Sequence, residues 1–157
     1  MIVNKLKILF ASGLLMTMFA TAGAQTGIGA RGIWGLDGGA YGGLELSIQS
    51  IGRFEFDLGW SNDSWKFTGL KLFNLIGGGK FGLYGGFGAG IGYSNLNDEV
   101  FGTFAVDLGT YVRLGPIQLG LDWRPEWNVF NAPNSDVSFN LALSARLMFG
   151  KSKKKRD

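Results

Sequence analysis

Between about positions 27 and 149, apolar and polar residues alternate with a period of two, the spacing of strands with two unlike faces. The clearest run sets Phe54, Phe56, Leu58 and Trp60 against Arg53, Glu55, Asp57 and Gly59. The pattern predicts seven further strands. The first carries Ile28, Ala30, Gly32, Trp34 and Leu36 on one face, and the second carries Leu44, Leu46 and Ile48. The fifth sets Phe81, Leu83, Phe87, Ala89 and Ile91 against Gly82, Tyr84, Gly86, Gly88 and Gly90. The sixth, seventh and eighth run near 104–114, 117–124 and 137–149. The fourth, near 65–74, changes parity: Trp65 and Phe67 share one face, Leu70 and Leu72 the other. A bulge near Gly69 would bring all four outward. Short connections are expected at 37–39, 50–52, 75–80 and 115–116, and longer ones at 94–99 and 125–136.

Eight strands with short connections predict an all-β, antiparallel up-and-down barrel. Most runs approach the roughly 9–11 residues that a tilted strand needs to cross a bilayer. The period alone leaves open which face points out. Three features favour an apolar exterior and a transmembrane barrel. Nearly every apolar face carries bulky residues, and an eight-stranded interior is only just wide enough for side chains to fill it. The polar faces gather Arg31, Arg53, Lys71, Arg113, Arg124 and Arg146 against Glu45, Glu55, Asp57, Asp107 and Asp122, a set able to pair in a narrow lumen. Aromatic residues stand at run ends, among them Trp34, Trp60, Trp65, Tyr93, Trp123 and Phe149, as in the girdles at membrane interfaces.

The two ends of the chain change the picture. Residues 1–24 have the form of a secretory signal peptide: Lys5 and Lys7, the apolar stretch 8–20, then Ala22-Gly23-Ala24. The barrel is expected over 25–150, and 151–157 is a basic tail with five Lys or Arg and one Asp. The formal charge of +3 lies in these ends, since 25–150 holds eight basic and eleven acidic residues. No basic face remains for nucleic acid. With export by the signal peptide, an even strand count is expected to put both chain ends on the periplasmic side. The connections at 37–39, 61–64, 94–99 and 125–136 then face outside with Asp37, Asp63, Asp98, Glu99, Glu126 and Asp136, and Lys66 nearby. Glycine is abundant, with 27 residues, while a 46% hydrophobic content argues against disorder.

These features resemble the small eight-stranded outer-membrane barrels of bacteria, of the OmpX-like and OmpA-transmembrane-like kinds. The glycine-rich strands and the Ala-Gly-Ala-Gln signal end resemble the outer-membrane β-barrel domains of Bacteroidota-type bacteria. The last strand, Phe139 to Phe149, resembles the C-terminal assembly signal of such barrels, although eight residues follow Phe149. The resemblance implies the cell outer membrane, surrounding lipid, and the barrel-assembly machinery as a partner during biogenesis.

Catalytic chemistry finds little support. The chain has no His and no Cys, which removes Ser-His and Cys-His pairs and thiolate metal sites. Barrel enzymes that modify lipid A use His as families, so their chemistry does not carry over. Glu55 and Asp57 share a face, but Arg53 beside them favours an ion network over acid–base work. The Gly-x-Gly stretches precede no helix and are not phosphate loops. No cofactor or metal is expected. The expected role is structural, or that of a subunit in an envelope assembly with other envelope proteins. A narrow pore for small or apolar molecules is the alternative, as is an external binding module using Trp127, Val129 and Phe130.

Overall fold

The structure is a computed structural model that describes residues 26–36, 43–50, 54–61, 63–77, 79–131 and 136–149. The signal-like segment 1–24, Arg53 and the basic tail lie outside these residues. So do most of the 37–39 and 50–52 connections.

Eight strands follow one another: β1 (Thr26–Gly35), β2 (Gly43–Ser50), β3 (Phe54–Trp60), β4 (Ser64–Gly77), β5 (Phe81–Ser94), β6 (Glu99–Leu114), β7 (Ile117–Phe130) and β8 (Val137–Phe149). Each pairs antiparallel with the next, and β1 pairs with β8, so the sheet closes as an up-and-down barrel without edges. Thr26 and Phe149 mark the termini-bearing end. At that end β6 and β7 are joined by Gly115-Pro116, with Leu114 opposite Ile117. Gly115 has a φ of 64°, which a side chain would strain, and proline suits the second turn position.

The stagger of the ladders fixes the width. The register partners starting from Gly27 are Gln49, Glu55, Leu70, Gly88, Ala105, Glu126 and Ser138. Ser138 lies two positions before Asn140, the partner of Gly35, so the circuit returns at position 37, ten residues beyond its start. With about 3.3 Å per residue and 4.8 Å between strands, this stagger tilts the strands by about 40° and sets a backbone radius of about 8 Å. Such a lumen holds side chains and little else.

β4 departs from the expected pattern. Its pairing with β5 is regular from Ser64 to Asn74, and the bulge falls between Asn74 and Ile76 rather than near Gly69. Trp65 and Phe67 therefore face out, while Leu70 and Leu72 face in and are buried. They pack with Tyr84, Ala105 and Tyr111 as an apolar lining on one side of the lumen. Glycine makes the room for it. A Cβ on Gly82 would stand 2.6 Å from the Tyr111 ring, and one on Gly109 would stand 2.4 Å from the Tyr84 ring.

The expected long connection 125–136 is also shorter. β7 continues through Pro125 to Phe130, so Trp127, Val129 and Phe130 belong to a strand. Proline cannot donate to a ladder, and the β6–β7 pairing is interrupted between Ala105↔Glu126 and Leu108↔Trp123. The side chains of Asp107 and Arg124 join across that gap.

Candidate functional site

The lumen is the candidate site. Alternation along six strands directs Arg31 of β1, Glu45 of β2, Glu55 and Asp57 of β3, Asp107 of β6, Asp122 and Arg124 of β7, and Arg146 of β8 inward. All are at most 2% exposed, so water does not screen them. Burial of such charges is tolerable only with partners close by.

Arg124 is the hub. It donates to Asp57 at 2.8 Å and to Asp107 at 3.0 Å. Glu55 lies 3.3 Å away and Glu45 3.5 Å away. Arg31 donates to Glu45 and Asp122, and to Asp57 at 3.3 Å. Arg146 pairs with Glu55 at 2.9 Å and donates to the Ser47 hydroxyl at 3.1 Å. The Tyr84 hydroxyl approaches Asp122 at 3.5 Å. Three guanidiniums thus knit five carboxylates drawn from β2, β3, β6 and β7 into one cluster across the barrel.

Layers lie above and below the cluster. Toward the end opposite the termini, Lys66 of β4 pairs with Glu126 of β7 at 2.5 Å, both buried. These two residues, expected near an outer connection, instead bridge the lumen. Their strands lie nearly opposite each other in the barrel, so the pair crosses its bore. Toward the termini-bearing end, Arg113 donates to Gln118 at 3.1 Å, Gln118 to Gln49 at 3.4 Å, and Gln49 to Glu55 at 3.5 Å. Arg113 is half-buried and also covers the Tyr111 ring. A side-chain chain thus runs from the barrel rim to the cluster.

Not every residue of the expected network lies there. Lys71 faces outward, with its ammonium 4.1 Å from the centre of the Phe54 ring. Arg53 lies outside the described residues. Glu55 and Asp57 both face Arg124, at 3.3 and 2.8 Å from its guanidinium. Among the described residues no group of His, Cys, Asp and Glu has the arrangement to hold a metal ion.

Lys71 apart, the outer wall carries mainly apolar side chains. Trp60, Trp65 and Tyr93 are successive register partners on β3, β4 and β5 at the end opposite the termini, and Trp34 lies one residue from the end of β1 there. Phe149 marks the opposite rim. Trp123 lies mid-strand instead, between Leu108 and Leu141, stacked on Phe139 with centroids 6.3 Å apart. Trp127 and Val129 face out near the end of β7, beside Phe130.

Fold and site together define a class: a closed eight-stranded antiparallel barrel with an apolar outside and a lumen closed by charge. Compared with models of known protein families and with curated proteins, the chain matches none.

Proposed function

We propose that this protein is an integral barrel of a bacterial outer membrane, exported by its N-terminal segment, with a structural or assembly-subunit role and no catalysis. The inversion of polarity carries the reading. The charged side chains of the lumen are buried, while Leu46, Phe87, Leu121 and Leu143 stand 42–54% exposed on the outer wall. Eight strands at that tilt make a wall about 50 Å around. The outward residues of β8, Phe139 to Phe149, are all apolar over ten residue steps, about 25 Å along the axis. That height matches the apolar band of outer-membrane barrels. Water-soluble monomers rarely expose apolar patches above a few hundred Å².

A structural role suits a lumen spanned by two ionic layers better than transport does. The surroundings proposed for the barrel are outer-membrane lipid, with the barrel-assembly machinery as partner during biogenesis. The termini-bearing end is placed in the periplasm and the Trp34–Trp60–Trp65–Tyr93 rim at the outer leaflet. Membrane fractionation with gel analysis tests the reading. The protein should sediment with outer membranes, and its unheated form should resist SDS and shift in mobility on boiling. A soluble, unshifted protein would overturn it.

A further inference from the structure

The wall of the barrel is not equally high all round. β3 has seven residues and β2 eight, whereas β4, β5 and β7 have fourteen and β6 sixteen. The ladders climb ten residues in one circuit, so each register line rises by about 1.25 residues per strand. One residue step is worth about 2.5 Å along the axis at this tilt. On that scale Trp60 of β3 is level with Phe139 of β8, so the two walls match at the end opposite the termini. At the other end they do not. Phe54, the first residue of β3, stands about 9 Å short of the rim marked by Gly77, Leu114 and Phe149. Three residues join it to Ser50, the last of β2. β2 and β3 thus leave a notch in the termini-bearing rim.

The outward side chains repeat the shortfall. Those of β3 run from Phe54 to Trp60, about 15 Å along the axis, against about 25 Å for Phe139 to Phe149 on β8. Beyond the closed ring, β4 borders the notch with an open edge. Its ladder with β3 ends at Phe54↔Lys71, while its ladder with β5 runs on to Gly77↔Gly82. From Leu72 to Gly77 it has a strand on one side only among the described residues, and Phe73 to Gly77 are all exposed. Unpaired backbone N–H and C=O groups are not tolerated against hydrocarbon, so this edge calls for water or headgroups beside it. An apolar wall too short for the bilayer is met by local thinning, at modest cost. The short wall and the open edge therefore make the same demand at the same place.

We infer that the bilayer thins beside β2 and β3, where headgroups and water of the leaflet at the termini-bearing end rise by about 9 Å into the notch and meet the open edge of β4. The inference rests on the membrane reading above. The opposite wall, from β6 to β8, carries apolar residues down to Leu114, Ile117 and Phe149 and meets the same leaflet at full thickness.

Depth-dependent fluorescence quenching tests it. The full chain is folded in dioleoylphosphatidylcholine vesicles with a fluorophore on a single introduced cysteine, and lipids brominated at stepped positions of the acyl chain serve as quenchers. Phe54 and Leu119 face out on opposite walls, and Leu119 lies about 2.5 Å nearer the termini-bearing rim. In a flat bilayer the label of Phe54→Cys would therefore lie deeper than that of Leu119→Cys. The notch reverses the order, and the Phe54→Cys label should be the shallower by about 6 Å. Phe56→Cys and Leu121→Cys form a second pair with the same reversal, which keeps the test open if Phe54→Cys does not fold. Labels on β3 deeper than their partners on β7 would overturn the inference. So would labels on β3 shielded from every brominated lipid, which would give the notch to a second copy of the chain. Mobility shift on boiling, measured on each protein, separates the two claims. If the wild type does not shift, the membrane reading fails; if all shift and the depths follow the flat order, only the thinning fails.

Discussion

Replacing Arg124 by Met removes the hub of the lumen while keeping most of the side-chain volume. Two of its hydrogen bonds are short, to Asp57 at 2.8 Å and Asp107 at 3.0 Å, and two further carboxylates lie within 3.5 Å. Asp57 retains Arg31 at 3.3 Å, Glu45 retains Arg31, and Glu55 retains Arg146. Asp107 has no second cation among the described salt bridges. Breaking a buried pair by removing one partner costs about 3–5 kcal/mol, because the other charge remains desolvated. Arg124→Met should therefore destabilise the folded barrel by about that amount. Adding Asp107→Asn removes the buried carboxylate that the change leaves without a salt-bridge cation among those described. The double variant should recover about 1–3 kcal/mol, the range for residues in contact. Urea titration in lipid vesicles, followed by tryptophan fluorescence, measures both values by linear extrapolation. A loss below about 1 kcal/mol in Arg124→Met, or a double variant weaker than the single by the full cost of Asp107→Asn, would refute the pairing logic.

Three further outcomes follow from the same geometry. A Cβ on Gly88 would meet the Gly69 carbonyl oxygen at 1.9 Å, whereas one on Gly69 would touch Phe56 at an ordinary 3.5 Å; Gly88→Ala should cut the heat-modifiable fraction on gels and Gly69→Ala should leave it intact. Leu58 faces out on β3, so Leu58→Arg should cost up to about 2–4 kcal/mol in vesicle refolding, the depth-dependent penalty for an arginine on a lipid face. Because the central cluster and the Lys66–Glu126 pair both span the bore, planar-bilayer recordings of the purified barrel should show no stable, reproducible conductance step; such a step would contradict the closed lumen.

Parity made most of the barrel legible in the sequence, because a strand with one wet and one dry face writes that difference every second residue. It worked for β3, where Glu55 and Asp57 sit between Phe54, Phe56 and Leu58, and for β8. It failed on β4 because the lumen is not polar throughout. Leu70 and Leu72 turn inward against Tyr84 and Tyr111, so apolar character stopped marking the outside there. The same shift carried Lys71 to the outer wall. Glu126 was hidden by Pro125, whose usual meaning is a break, although here β7 runs past it with only a local loss of pairing. The identity of the inward charges could be read from alternation. Their pairing could not, since Arg124 and Asp57 are 67 residues apart and meet only through closure and stagger. Trp123 shows the same limit: run ends in sequence are not rims in space, because β7 extends seven residues beyond it.

The central claim is that the apolar face meets lipid and the charged face fills the lumen. The chain has no cysteine, so single cysteines can be placed and spin-labelled one at a time. Labels at Leu121 and Leu143, both outward near mid-strand, and at Ser144, inward on β8, can be compared in lipid vesicles by electron paramagnetic resonance with oxygen and a water-soluble nickel chelate as relaxants. The account predicts strong oxygen access and no chelate access at Leu121 and Leu143, with little access of either relaxant at Ser144. Chelate access at Leu121 and Leu143 equal to that of an exposed soluble site would contradict it.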